Sequence, residues 1–343
     1  MTDQQFNGMY GSPEAQHRAG LRPHALMACA ATAVLASLAA CSPTDTPNEM
    51  QTPSGGGNRS AAVLAGPPPK NLGGTLARVL EPVLRDYDTR LAVAVLSLDD
   101  ADREIASASY RGDAEFNTAS VIKVNIVAAL LLQAQDEGRG LTTEEQQAAE
   151  AMISTSDNDA TNLLWRRIGR REGLKAANDR LGLSSTQGGS GARWGLTRTT
   201  AMDQVRLLRS VFTRGGADSA SSRQGLNPAS RAYIQELMGH IAEDQDWGVS
   251  AASSRWALKN GWLQRTTTGL WVINSIGQVE LHGHRYLVSV LSSDNASMED
   301  GVSLVERAVK AAIGAVSAHA RQRLLGHATG SSDPRTAFER GGD

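Results

Sequence analysis

The chain has 343 residues, with 34 Lys and Arg against 36 Asp and Glu and a formal net charge of −2. This balance provides neither the basic field of a nucleic-acid-binding protein nor an acidic surface for a basic partner. The only two cysteines, Cys29 and Cys41, both precede the segment that we expect to fold. That segment therefore has no thiol or disulfide, and its stability has to come from an apolar core.

The first 40 residues have the pattern of a secretory signal peptide. Residues 1–24 are polar, and residues 25–40 form an apolar, small-residue run that is too short for a membrane span. The run ends in Leu38-Ala39-Ala40-Cys41, which resembles the lipobox of bacterial lipoproteins. This resemblance implies that the chain is exported, lipidated at Cys41 and anchored to the cytoplasmic membrane from outside. The alternative is an ordinary cleavage site with a chance cysteine.

Composition divides the remaining chain into three parts. Residues 41–70 are rich in Pro, Gly, Ser and Thr and predict a disordered tether. Residues 71–320 predict one folded domain, and the polar residues 321–343 predict a disordered tail. Within the domain we expect an α/β lobe from 71–115 and 250–320, and a helical lobe from 116–249.

Hydrophobic spacing predicts an α+β fold, with an antiparallel sheet flanked by helices and an all-helical lobe beside it. A capping box at Thr142 and Glu145 marks the start of one helix. The other helices are predicted over 72–87, 116–132, 173–181, 199–212, 227–240 and 297–316, with a short one after 158. Strands are predicted over 91–98, 104–110, 255–258, 269–276 and 285–292.

The segment 116–132 carries a candidate nucleophile. Thr118 and Ser120 are residues that cap helices, so Ser120 is expected at a helix start, where unpaired N–H groups favour negative charge. Lys123 lies three residues later on the same helix face and within predicted hydrogen-bond reach of Ser120. A lysine in an apolar wall loses part of its preference for the charged form and can take the serine proton. The alternative is a capping serine and a surface lysine.

Two further motifs offer polar groups to a cleft. Ser156-Asp157-Asn158 lies between two helices, where the Ser156 hydroxyl could relay a proton and the Asn158 amide could bind an amide oxygen. The alternative there is helix capping. In Lys259-Asn260-Gly261, the lysine could hold a carboxylate and the backbone beyond the glycine could offer an N–H to an oxyanion. The alternative is a hairpin turn, because Asn-Gly is a strong turn signal.

The three motifs occur in the order typical of penicillin-recognising acyl-serine enzymes. With flanks such as S-V-I-K-V-N-I-V-A-A-L-L and S-D-N-D-A-T-N-L-L-W, the chain resembles class A β-lactamases over most of residues 74–318. The resemblance implies that Ser120 is acylated, that Lys123 is a base and that Ser156 passes a proton to the leaving nitrogen. It also implies a substrate-binding set and an oxyanion hole formed by the N–H groups of Ser120 and Trp262. The substrate-binding set is Asn158, Lys259, Asn260, Gly261 and Trp262.

Two departures from that family pattern affect the expected activity. Asn260 stands where the family usually has Thr or Ser; its amide can donate to a carboxylate but cannot relay a proton. The interval 181–197 should carry the glutamate that activates the deacylating water, yet it contains no Asp or Glu. Hydrolysis of the acyl-enzyme is therefore expected to be slow.

The favoured function is a serine hydrolase that acylates Ser120 with β-lactams or related cell-wall acyl-peptides. The alternative is a lipid-anchored binding protein of the same fold without turnover, and a third is an unrelated lipoprotein with chance motifs. The expected partners are a small molecule and, through the anchor alone, a membrane. We expect a monomer without a cofactor. No metal is expected either, since the histidines, including His282 and His284, show no ligand pairing.

Overall fold

A five-stranded antiparallel sheet is the centre of the computed structural model, which describes residues 72–214 and 225–329, with side chains up to residue 321. Its strand order is β2-β1-β7-β6-β5. These strands are β1 Arg90–Leu98, β2 Glu104–Tyr110, β5 Trp256–Gln264, β6 Trp271–Leu281 and β7 His284–Asn295. β1 and β2 follow the predicted hairpin closely, and the predicted antiparallel sheet is confirmed. The sheet thus joins two segments that are distant in the sequence.

Two short strands form a second sheet that the sequence did not predict. These are β3 Phe116–Asn117 and β4 Arg198–Thr199, which pair antiparallel. β3 leads directly into the segment that contains Ser120, and β4 ends the 181–197 loop. The small sheet therefore connects this loop to the candidate nucleophile.

The helices agree with the prediction in number and order across the described residues. They are α1 Gly73–Leu84, α2 Ile122–Asp136, α3 Thr143–Ser154, α4 Asn158–Arg167, α5 Arg170–Leu181, α6 Ala201–Phe212, α7 Pro228–Gly239 and α8 Met298–Thr329. The predicted capping box of α3 is present, with Thr142 and Glu145 each accepting from the other's backbone N–H. None of the helices in 72–214 and 225–329 has the length and apolar content needed to cross a bilayer.

Helix α2 is the centre of the helical part because it is buried on all of its sides. Twelve of its residues are buried, from Ile122 to Ala134, so it packs against neighbours on every side. It belongs to one apolar cluster with one sheet face and the helices α3 to α7. A second cluster on the opposite sheet face contains α1 and α8. Lys123 is consequently held in the buried first turn of this helix, and Ser120 lies in the turn just before it.

Three local predictions were wrong. Thr118 and Ser120 do not cap α2: a 3₁₀ turn, Ala119–Val121, precedes the helix, and no side-chain cap is formed. The strand predicted over 255–258 was too short: it continues through Lys259-Asn260-Gly261 as β5, which excludes the alternative of a hairpin turn there. Helix α8 extends past its predicted end at 316. The expected signal peptide, the lipidation site at Cys41, the tether and the tail beyond 329 lie outside the described residues.

Candidate active site

Ser120 lies in the middle of the 3₁₀ turn, between β3 and α2, and is almost completely buried. The residue before it, Ala119, has φ of +46°, a left-handed conformation that non-glycine residues seldom adopt. Such backbone strain persists only where surrounding contacts enforce it, and it is concentrated at functional sites. The conformation therefore marks the segment before Ser120 as one held in place by its neighbours.

Lys123 extends from the first turn of α2 toward the motif Ser156-Asp157-Asn158. Its Nζ atom donates to the main-chain oxygen of Ser156 at 2.6 Å, to Ser156 Oγ at 2.9 Å and to Asn158 Oδ1 at 3.1 Å. The predicted hydrogen bond to Ser120 is not among the bonds of the described residues, and all three bonds of the Lys123 amine go to the Ser156-Asp157-Asn158 motif. The hydrogen bonds of Lys123 are thus with Ser156 and Asn158.

These three contacts suit a neutral amine as well as an ammonium group. A neutral Lys123 can donate its two N–H groups to the Ser156 carbonyl and to Asn158, and its lone pair can accept from the Ser156 hydroxyl. Ser156 itself has φ of +58°. The capping alternative also holds, because the Asp157 side chain accepts from Ala160 N–H at the start of α4. The motif therefore both caps a helix and is bonded to the candidate base.

The pKa values of the two lysines are lowered. Burial lowers the pKa of Lys123 well below its ordinary value, and the charge of Lys259 lowers it further, while Asp157 opposes the shift. Burial also lowers the pKa of Lys259 to about 7, with Asp244 opposing. Both side chains are completely buried. Burial therefore favours the uncharged form of both amines relative to an exposed lysine, and an uncharged amine is what a general base requires.

The residues of the third motif lie on β5 and differ in their contacts with the candidate site. Lys259 is buried, and its Nζ atom has no hydrogen-bond partner among the described residues. Gly261 lies directly against the nucleophile turn: a Cβ atom there would be 2.7 Å from the main-chain nitrogens of Ser120 and Val121. Trp262, the next residue on this edge strand, packs its side chain against the second apolar cluster, with its ring centre 6.1 Å from that of Trp247. The structure thus brings the lysine and the glycine of this motif to Ser120.

The Asn260 side chain, in contrast, is bonded within the protein away from this turn. Its side chain is completely buried, and the amide nitrogen donates to the main-chain oxygens of Gln245 and Trp247, both at 2.8 Å. Both amide hydrogens are therefore used within the protein. Donation to a substrate carboxylate, the role predicted for Asn260, would require one of these bonds to break.

The 181–197 loop places an aromatic ring at the candidate base. The Lys123 Nζ atom lies 5.0 Å from the centre of the Trp194 ring, and the Trp194 indole N–H donates to Asn162 Oδ1 at 2.9 Å. Buried Asp203 on α6 accepts from Ser185 N–H and from the Thr186 hydroxyl at 2.8 Å each, which fastens the start of the loop. An indole therefore covers Lys123 from a loop without a carboxylate.

Sequence reasoning missed one residue at the site, Asn274 on β6. Its amide nitrogen donates to the main-chain oxygens of Asn117 and Thr118, immediately before Ser120. Asn274 belongs to none of the three motifs, and no local pattern distinguishes it from any other polar residue in a strand. Only the pairing of β5 with β6 brings it to the nucleophile.

Comparison with known proteins gives relatives of this chain both in sequence and in fold. The most similar curated sequences include the putative lipoprotein LppW of Mycobacterium tuberculosis and of Mycobacterium bovis, each 29% identical over 170 residues. The match covers 49% of this chain and 50% of the relative, so the chain spans about half the length of the curated relatives it matches.

Solved structures with the same fold include a class A β-lactamase from Bacteroides cellulosilyticus, with a TM-score of 0.59 and 17% identity over 73% of this chain and 99% of that one. They also include a mutant of PBP-A as an acyl-enzyme complex with penicillin G, with a TM-score of 0.59 and 22% identity over 74% and 99%. These likenesses establish the fold.

A family model described as the β-lactamase enzyme family matches residues 75–145 and 135–324, which together include most of the chain and every motif of the site. The resemblance read from the three motifs is thereby confirmed. The chain belongs to the β-lactamase enzyme family.

Proposed function

We propose that the protein forms an acyl-enzyme at Ser120 with β-lactams or related cell-wall acyl-peptides. The observation that carries this proposal is the environment of Lys123, a buried amine of lowered pKa bonded to Ser156 at the start of the helix that follows Ser120. A buried amine of this kind is a suitable base for a serine hydroxyl. A purely structural lysine would normally be paired with a carboxylate, and among the described residues none bonds to Lys123.

Acylation would proceed in two proton transfers. Neutral Lys123 takes the proton of Ser120 as its Oγ atom bonds to the substrate carbonyl carbon, and the N–H groups of Ser120 and Trp262 hold the resulting oxyanion. When the carbon–nitrogen bond breaks, Ser156 gives its proton to the leaving nitrogen and receives one from Lys123. The product is an ester on Ser120, with Lys123 neutral again.

Lys259 and Asn158 would hold the substrate. The buried Nζ atom of Lys259 has no hydrogen-bonded partner in the described part of the chain, so a substrate carboxylate would bind the amine and favour its protonated form. The Asn158 oxygen accepts from Lys123, which leaves the amide nitrogen to donate to a substrate amide oxygen.

Hydrolysis of the acyl-enzyme should be slow. The 181–197 loop has no carboxylate to activate water, and the Trp194 ring lies over Lys123, the other base in the site. The same observations favour a second candidate function, a binding protein that becomes acylated or holds ligand without turnover. In either case we propose a monomeric lipoprotein anchored through Cys41, in keeping with its similarity to the LppW lipoproteins.

Intact-protein mass spectrometry tests the proposal. The full-length protein in detergent is incubated with penicillin and followed over time, with Ser120→Ala as the control. A long-lived adduct on the wild type alone is the expected result. A transient adduct with penicillin consumption would contradict slow deacylation, and the absence of any adduct would refute acylation by this class of compound.

A further inference from the structure

Asn274 is bonded to the main chain on both sides. Its amide nitrogen is 2.9 Å from the oxygens of Asn117 and of Thr118, and its oxygen accepts from Ser292 N–H at 3.1 Å. The side chain is completely buried. It therefore fastens the segment before Ser120 to the middle of the large sheet, at β7.

Asn274 and Gly261 are directly opposite each other in the pairing of β5 with β6. The glycine leaves room for the main chain of the turn, since a Cβ at 261 would be 2.9 Å from Thr118 O and still nearer to Ser120 N. The asparagine supplies the hydrogen bonds that hold the same segment. Together they form what we call the turn seat, defined as Gly261 and Asn274.

The turn seat accounts for the strain at Ala119. A left-handed alanine relaxes unless contacts on both sides oppose it. On one side Asn274 holds Thr118 O, and on the other the 3₁₀ turn continues into buried α2. The direction of the Ser120 N–H group depends on the peptide plane that Ala119 sets.

We propose that Asn274 is a positioning residue for Ser120. By holding the oxygens of Asn117 and Thr118, it fixes the strained turn and aims the Ser120 N–H group at the position of the oxyanion. Asn274 touches no substrate and acts through the main chain. The inference rests on the proposed acylation of Ser120.

The test is the acylation of full-length Asn274→Asp by penicillin in detergent. The change is nearly isosteric, but it replaces the donor by an oxygen facing two carbonyl oxygens. We expect the limiting acylation rate to fall by about 10- to 100-fold, with the half-saturating penicillin concentration within about twofold. Mass spectrometry at several penicillin concentrations separates the two quantities.

The pH dependence distinguishes positioning from a general loss of stability. A protonated carboxyl can donate to one of the two carbonyl oxygens, so the deficit relative to wild type should shrink as the pH falls from about 8 to about 5. Asn274→Ala removes the donor without this rescue, and its deficit should remain constant over the same range.

Asn295→Asp is the matched control, because Asn295 is equally buried in the same sheet and donates to Trp271 O and Ser292 Oγ, away from Ser120. It should lower stability and leave the acylation rate of the folded protein unchanged. Folded Asn274 variants that acylate as fast as this control would overturn the proposal, as would failure of both variants to fold. A wild type that penicillin never labels would refute the proposed function itself.

Discussion

The buried amine of Lys259 should destabilise the folded protein in a pH-dependent way. Its side chain is completely buried, its Nζ atom lacks a hydrogen-bond partner in the described ranges, and burial lowers its pKa from 10.5 to about 7. Between these two values the unfolded chain binds one proton more than the folded one, so the free energy of unfolding rises with pH. Removal of the amine should therefore stabilise the protein most at pH 7 and below.

The size of the effect follows from the shift. At about 1.4 kcal/mol per pH unit, a shift of this size corresponds to at most about 5 kcal/mol below pH 7. Lys259→Met keeps the apolar stem and removes the charge. We expect its gain in stability to decrease by about 2–3 kcal/mol between pH 7 and pH 9, and to approach zero near pH 10.5.

Urea unfolding of the wild type and the variant at pH 7, 8 and 9 measures this gain. Lys175→Met is the control, because Lys175 is 73% exposed and its ion pair with Asp179 lies at the surface. That variant should show no comparable pH dependence. A gain for Lys259→Met that is equal at pH 7 and pH 9, or a net loss of stability, would refute the assignment of a buried, uncompensated amine.

Three further predictions concern the turn seat, the helical part and the loop. Gly261→Ala should slow penicillin acylation by about 100-fold, because the new Cβ meets main-chain nitrogen at 2.7 Å; labelling at the wild-type rate would contradict this close approach. Glu145→Gln should cost about 3 kcal/mol by leaving Arg139 and Arg167 without their shared carboxylate, while exposed Glu144→Gln should cost almost nothing in urea unfolding. Trp194→Glu should raise steady-state penicillin hydrolysis at least about tenfold over Trp194→Gln; equal rates would show that deacylation is not what limits turnover.

The stabilisation that Glu145 provides should decrease at acid pH. Burial raises the pKa of Glu145, but hydrogen bonds from Arg139, from Thr142 N–H and from Arg167 outweigh it and hold the pKa at about 2. The wild type should therefore lose this stabilisation as the pH falls from 4.5 toward 2. Glu145→Gln should show no such loss in the same range.

The parts of the fold that could be predicted are those set by local chemistry. The apolar run before Asp99 is a buried strand, and the capping box at Thr142 starts a helix as expected. The three motifs could be recognised because their residue types and order carry the family pattern. What they do in this chain depends on neighbours that the sequence does not indicate.

The failures share a physical cause. Asn260 and Gly261 were compatible with a turn because the usual reason for such a pair is a left-handed backbone, whereas Gly261 is required here by the close approach of the Ser120 main chain. Thr118 was expected to cap the helix because threonine is common at that position. Its side chain makes no capping hydrogen bond, and the chain passes instead through the strained conformation at Ala119. Contacts between distant strands overrode local preference at both places.

The pairing of β1 with β7 has a consequence for when the turn that contains Ser120 can form. Val93 lies opposite Val290, so the sheet cannot close until almost the whole domain has been synthesised. Contacts between such distant segments form slowly, because loop closure must precede any gain from pairing. The Ser120 turn receives its seat from residues 261 and 274, which arrive late. A chain interrupted before β6 would thus carry the complete Ser-x-x-Lys sequence and no acylating site.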